Sequence, residues 1–178
     1  MQVSEAINMR TSYRGKYKNT PVNKDDLRKI MEAGVAAPSG CNKQTTSFIA
    51  VEDSEVLDKL NKIMAVPARR VAPAMICVLT QRIIAYGDTC LAVQDYAAAI
   101  ENMLLSIVDL GYQSCWIEGQ ITGDNNLGRK MADVLDVPRD YELICVLPVG
   151  YADEAITRVA KKDFAKRAWF NGFQKKER

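Results

Sequence analysis

Between Thr89 and Leu110 the chain reads TCLAVQDYAAAIENMLLSIVDL, with neither glycine nor proline to interrupt it. Such a run predicts a helix on the order of 30 Å long, opened by Gly87 and Asp88 and closed before Gly111. It is apolar around most of its circumference, so it has to be enclosed by the rest of the fold. Asp95, Asn102 and Asp109 recur at seven-residue intervals and draw one narrow polar stripe along it. With Glu101 they argue against lipid as the enclosing medium, because a charge at a bilayer centre costs about 3 kcal/mol. It is therefore expected to be a central helix enclosed by the rest of the fold.

The flanking sequence supplies candidates for that wrapping. A short helix is predicted over Val3 to Met9. Asn23 caps a second helix that carries Leu27, Ile30, Met31 and Gly34 on one face and stops at Pro38. Ser47 to Glu52 reads as a strand, and Asp53 or Ser54 caps a helix with Leu57, Leu60 and Met64. Ala74 to Thr80 is an apolar run bounded by Pro73 and therefore a buried strand. After the long helix, Tyr112 to Ile117 reads as a strand and Glu118 to Thr122 as a loop. A helix stacking Leu127, Met131 and Leu135 follows and closes at Pro138, and Leu143 to Val149 is the last strong strand. Helices and strands interleave without a strict βαβ rhythm, which predicts an α+β sandwich with a mixed sheet. Neither G-x-G-x-x-G nor G-x-x-x-x-G-K-[ST] occurs.

Nothing suggests a repeat or a linker, so residues 1–178 are expected to form one domain. The segment 151–178 is polar and basic yet holds Phe164, Trp169, Phe170 and Phe173, too many aromatics for a solvated terminus. It is expected to dock, with a partner subunit as the candidate.

Several chemistries are excluded by composition. The chain has no histidine, which removes Ser-His-Asp and Cys-His nucleophiles and every histidine metal site. Its five cysteines are odd in number, scattered, and never spaced C-x-x-C, as expected of reduced thiols in the cytoplasm. A net charge of +2 offers nothing to nucleic acid or an anionic membrane. No signal-peptide core or bilayer-length apolar run is present, so a cytoplasmic protein is expected. The reaction must come from carboxylates, thiols or a bound cofactor.

Three segments could carry it. Arg10-Thr11-Ser12-Tyr13-Arg14 places two guanidinium groups and hydroxyls close together, and Arg10, Ser12 and Arg14 share one side of an extended segment, able to converge on a phosphate. A solvated basic surface reads the same way. Ala37-Pro38-Ser39-Gly40-Cys41-Asn42-Lys43-Gln44 sets neutral donors and acceptors after a helix stop, suited to carbonyls and hydroxyls or simply to a capped turn. In Ser114-Cys115-Trp116-Ile117-Glu118-Gly119 a strand ends where glycine lets a planar ring approach the backbone. Trp116 also suits core filling, and Glu118 a surface carboxylate.

Taken together, R-x-S-x-R, A-P-S-x-x-N-x-Q and W-I-E-G resemble the nitroreductase family in order, spacing and context. The run from Asp95 to Leu105 looks like that family's long dimer helix, and Leu143 to Tyr151 like its last core strand. The resemblance implies a mainly antiparallel sheet flanked by helices, with the long helix at a homodimer interface. It implies FMN as a tightly bound cofactor and NAD(P)H as electron donor. Arg10, Thr11, Ser12 and Arg14 would then hold the phosphate and ribityl end. Pro38, Ser39, Gly40, Asn42 and Gln44 would border the flavin from the other subunit. Trp116, Ile117, Glu118 and Gly119 would flank the ring, with the backbone N–H of Glu118 or Gly119 beside N5 as the catalytic contact. Arg158 and Lys161, or Lys162, would complete the phosphate site, where lysine loses the bidentate geometry of arginine. Arg69 or Arg70 would face the N1 and O2 edge, although either also reads as a surface arginine. The implied reaction carries hydride from NAD(P)H through N5 to a nitroaromatic or quinone by alternating half-reactions. A flavin reductase, a reductive dehalogenation enzyme or a catalytically silent FMN-binding dimer would use the same scaffold. No metal, nucleic acid or membrane partner is expected.

Overall fold

In the computed structural model, residues 1–123 and 125–173 are described; residues 174–178, the end of the tail expected to dock, lie outside them. Among the described residues five α-helices surround two small sheets: α1 (Val3–Met9), α2 (Lys24–Val35), β1 (Thr46–Val51), α3 (Ser54–Ile63), β2 (Ala74–Thr80), β3 (Ile84–Tyr86), β4 (Thr89–Cys90), α4 (Ala92–Asp109), α5 (Leu127–Val134) and β5 (Glu142–Val149). The main sheet has the order β1-β2-β5 and both pairings are antiparallel. An isolated parallel bridge joins Ser12 and Ser114 outside these strands, and the pairings within the sheets are antiparallel.

Strand β2 lies at the centre and is buried at every position, which is why it reads as a continuous apolar run. Its side chains still alternate. Ala74, Ile76 and Val78 face a layer built from α2 and α4 with Leu27, Ile30, Ile100, Met103 and Ile107. Met75, Cys77 and Leu79 face a second layer, from α3 and α5, with Leu57, Leu60, Met64 and Met131. The period of two sorts one strand between two cores. Strand β5 departs from it: the register slips between Val78 and Leu79, and Ile144 and Cys145 consequently both join the α2/α4 layer. A single extra residue in one strand has this effect.

Local caps fix the helix starts. Asn23 accepts from the Asp25 N–H, and Asp53 from those of Glu55 and Val56; each cap stabilises by about 1 kcal/mol. Helix α4 runs 18 residues, about 27 Å at 1.5 Å per residue. It begins later than its sequence suggests. Thr89 and Cys90 pair back onto Ile84–Tyr86 across Gly87, whose φ is +54°, so the strand hairpin claims what helix periodicity alone assigns to the first turn. Each residue of the polar stripe finds a different partner. Asp95 receives Gly40 N and Thr45 Oγ1, Asn102 donates to the Ala33 carbonyl, and Asp109 pairs with the amino terminus of Met1. The segment 112–117 is likewise not a continuous strand. It bridges in turn to Gly150, Ser12 and Val146, because the chain crosses from one neighbour to the next.

Asp26 accepts from Lys29 Nζ at 2.9 Å and from Tyr112 Oη at 3.0 Å. The Lys29 contact first, and then the Tyr112 hydroxyl, hold its carboxyl below the usual carboxylate range. A depressed native pKa contributes stability above the unfolded value of about 4 that is lost as pH falls through the native one. Asp26→Asn should therefore flatten part of the decline in Tm below about pH 4, read by thermal melts from pH 7 to 2. A parent and variant with parallel melting curves across that range would exclude the linkage.

Beyond Ala152 the chain leaves its own core. The 152 backbone bridges Tyr17, and Asp153 ties to Lys16 through both main chain and side chain. After that Val159, Phe164, Phe170 and Phe173 stand 67–77% exposed. Phe164 pairs with Phe170 and Trp169 with Phe173, so the exposed aromatics cluster into a patch of the kind that marks an interaction site.

Candidate functional site

A cavity of about 420 Å³ opens where the loop after residue 116 meets the end of α3, within the size range of small-molecule sites. Trp116, Ile117, Glu118, Gly119 and Gln120 form one wall, Met64 to Pro67 another, and Met75, Val146 and Pro148 the floor. Arg14 and Arg70 stand on its lining. The mixture of apolar walls with a few charged and backbone groups suits a flat, polar-edged ligand.

Glu118 is held from two sides. Tyr96 on α4 donates to Oε1 at 2.7 Å and Trp116 Nε1 donates to Oε2 at 2.8 Å. Burial, and then this bond to the carboxylate, pushes the Tyr96 hydroxyl up to about 12, so it remains a donor at ordinary pH. The Glu118 carbonyl accepts from the backbone N–H groups of Ile121 and Thr122. With its carboxylate and carbonyl thus occupied, the residue offers a ligand its backbone N–H. Among the described residues, the N–H groups of Glu118 and Gly119 find no acceptor. Unpaired donors at a cavity wall are what a ring with an electron-rich nitrogen requires.

The 10–14 segment divides its side chains. Arg10 Nε lies 3.4 Å from Glu101 Oε1 on α4. Thr11 is buried and its hydroxyl donates to the Thr157 carbonyl at 3.3 Å, which brings the start of the tail, and with it the backbone next to Arg158, against this segment. Ser12 bridges Ser114. Arg14 is exposed, touches only the Ser12 carbonyl at 3.4 Å among the described residues, and faces the cavity. Cys115 lies beneath: burial raises its thiol pKa, opposed by Arg14, by a hydrogen bond with Ser12 and by Arg10. Lys161 and Lys162 are exposed further along the tail.

The 38–44 segment lies elsewhere. Pro38, Ser39 and Gln44 line a separate groove with Gly34, Thr45 and Asp95, and Cys41 to Gln44 are exposed. Cys41, Asn42 and Gln44 all have left-handed backbones, with φ of 48°, 54° and 51°, which cost on the order of 1 kcal/mol or more each for non-glycine residues. A single copy of the chain therefore does not bring Asn42 and Gln44 to the cavity that holds Glu118. Of the two arginines just before β2, Arg70 lines the cavity that holds Glu118 and Arg69 a neighbouring groove. Met64, Val66 and Gln120 carried no sequence signal for a site; Gln120 Nε2 donates to the Met64 carbonyl at 2.7 Å and locks the two walls together.

The residues present fit a phosphorylated flavin. Cationic groups without carboxylate partners among the described residues, Arg14 and Arg70, match its phosphate or ring oxygens, and the free N–H pair matches a ring nitrogen. No group of three or more His, Cys, Asp or Glu side chains able to hold a metal occurs among the described residues, and none of the helices there is long and apolar enough to cross a membrane.

Comparison with known proteins gives a consistent result. The nitroreductase family profile matches residues 7–75 and 65–151. An FMN-dependent nitroreductase from Clostridium difficile R20291 is 30% identical with a TM-score of 0.78, covering 94% of this chain and 98% of that one. A nitroreductase with bound FMN from Bacteroides fragilis NCTC 9343 is 28% identical with a TM-score of 0.77, covering 96% of this chain and all of that one. A curated relative, an NADPH-dependent oxidoreductase of Staphylococcus aureus, is 26% identical over 71% of this chain and 55% of its own length.

Proposed function

The chain belongs to the nitroreductase family, and on that premise we propose that it is an FMN-dependent oxidoreductase that takes electrons from NAD(P)H and delivers them to a small acceptor such as a nitroaromatic or a quinone. The observation that carries this reading is the cavity of Arg14, Arg70 and the Trp116–Gln120 wall, with two backbone donors that are unpaired among the described residues and suited to a ring nitrogen.

Bound FMN supplies a ring able to take up hydride at N5 and release it to a second molecule. The chain's own groups do the rest. Arg10, Ser12 and Arg14 would hold the phosphate and ribityl end, joined by Arg158 and Lys161 from the tail. The backbone N–H groups of Glu118 and Gly119 would serve the ring nitrogen N5, in a loop kept in place by the Tyr96 and Trp116 bonds to the Glu118 carboxylate. Arg70 sets positive charge where negative charge grows as the ring is reduced, the general logic of preorganised electrostatics. Donor and acceptor would use this one cavity in turn, so double-reciprocal plots should be parallel.

Two copies are needed to finish the site. The separation of Asn42 and Gln44 from the cavity, and the exposed aromatic cluster of the tail, support a homodimer. In it, residues 1–178 act as one unit and each copy lends Pro38, Ser39, Gly40, Asn42 and Gln44 to its neighbour's flavin. The test is an absorption spectrum of purified protein, taken without oxygen before and after NADH or NADPH. A yellow protein that bleaches is expected; colourless protein that takes up no added FMN overturns the reading.

A further inference from the structure

Asp95 is the buried carboxylate among the described residues, 4% exposed inside α4. No cation accompanies it. Its two oxygens accept from Gly40 N and Thr45 Oγ1, both at 2.7 Å. Those donors bracket Cys41 to Gln44, whose side chains all stand in solvent. Within the bracket the Asn42 N–H donates to the Ser39 carbonyl, Lys43 N–H to the Gly40 carbonyl, and Gln44 N–H to Ser39 Oγ at 2.9 Å. Gly40 itself sits so close to Leu91 that a Cβ would meet it at 2.6 Å.

Such an arrangement is costly for mere stability. A buried polar group is not in itself stabilising compared with an apolar side chain of similar size, even when its hydrogen bonds are made, and three left-handed non-glycine residues persist only where the surroundings impose them. Here both are used to shape four exposed side chains that bury almost nothing. Order without burial points to a task outside the protomer.

We propose that Asp95 is a positioning residue of the flavin site: from within its own subunit it fixes the arch that carries Asn42 and Gln44, so that a second copy of the chain meets them in one defined shape. The inference rests on the dimeric flavin reading above. It predicts that the arch is already formed without flavin and that its rigidity contributes to flavin affinity.

The experiment uses full-length Asp95→Ala, Asp95→Asn and Thr45→Val, with amide hydrogen exchange on the flavin-free protein and FMN titration by fluorescence. Asp95→Ala should speed exchange at Gly40, Asn42 and Gln44 more than tenfold while α4 amides stay protected, and should weaken FMN binding by about tenfold. Asp95→Asn retains an acceptor for Gly40 and a partner for Thr45, and should recover most of both losses. Thr45→Val removes one bond of the pair and should fall between. Unchanged exchange at these amides in Asp95→Ala and Thr45→Val overturns the clamp; faster exchange with wild-type FMN affinity overturns its link to the flavin. Wild-type protein that takes up no FMN overturns the functional reading instead, while the exchange data still judge the clamp.

Discussion

Arg14→Ala is expected to leave the fold intact and to weaken FMN binding by about 10- to 100-fold, the range for losing a hydrogen bond to a charged group. Arg14 is exposed, reaches only one backbone carbonyl at 3.4 Å among the described residues, and lies on the cavity, so its removal disturbs little except the ligand. Arg10→Ala should also weaken binding. Its effect mixes two losses, because the Arg10 guanidinium leans on Glu101 and thereby ties the end of α1 to α4. Titrating flavin-free protein with FMN at two salt concentrations separates them: the anion contact weakens with ionic strength, and the packing contribution does not. Unchanged FMN affinity in both variants would remove the phosphate assignment.

The largest expected loss of stability comes from Gly128→Ala. Gly128 lies in α5 where the helix crosses β5, and an added Cβ would stand 2.3 Å from the Leu143 carbonyl oxygen and 3.3 Å from Ile121. The obstacle is backbone, so no rotamer change relieves it. Either the helix lifts, opening the layer around Met131, Ala132 and Leu143, or the strand bends at its bulge. Overpacking of this kind costs on the order of 3 kcal/mol, about 6–12 °C in Tm for a domain of this size. Thermal melts of the variant against the parent provide the measurement; a shift within 1–2 °C, about the effect of a surface change, would show that α5 can move at little cost.

The two predictions separate site from scaffold. Arg14 should change ligand affinity and little else, whereas Gly128 should lower stability with the cavity residues untouched. A protein in which Arg14→Ala melted much earlier would mean that the 10–14 segment holds the fold rather than the ligand.

How much of this could be read in the residues varies from element to element. The long helix, the buried strand Ala74–Thr80, the Asn23 and Asp53 caps and the cavity wall ending in Glu118-Gly119 are local matters of periodicity, capping and turn chemistry, and they are legible in sequence. The seven-residue stripe on α4 is visible there too, but not its purpose. Three segments far away in the chain, ending at Gly40 and Thr45, at Ala33 and at Met1, supply the partners. The β3–β4 hairpin was hidden because Thr89 and Cys90 fit a helix as well as a strand until Ile84–Tyr86 folds back on them. The bulge in β5 left no mark, since Ile144 and Cys145 are apolar whichever face they take.

The family, the α+β class, the lack of histidine chemistry and the set of groups available to a flavin are all written in the order of residues, because each depends on residue types at short spacing. Only the tertiary structure decided which groups share a cavity: Arg14 and Arg70 with the Trp116–Gln120 wall, and Asn42 and Gln44 on another surface. The reason is physical: proximity between distant segments is set by which faces bury one another, and burial of a face depends on every element packed against it.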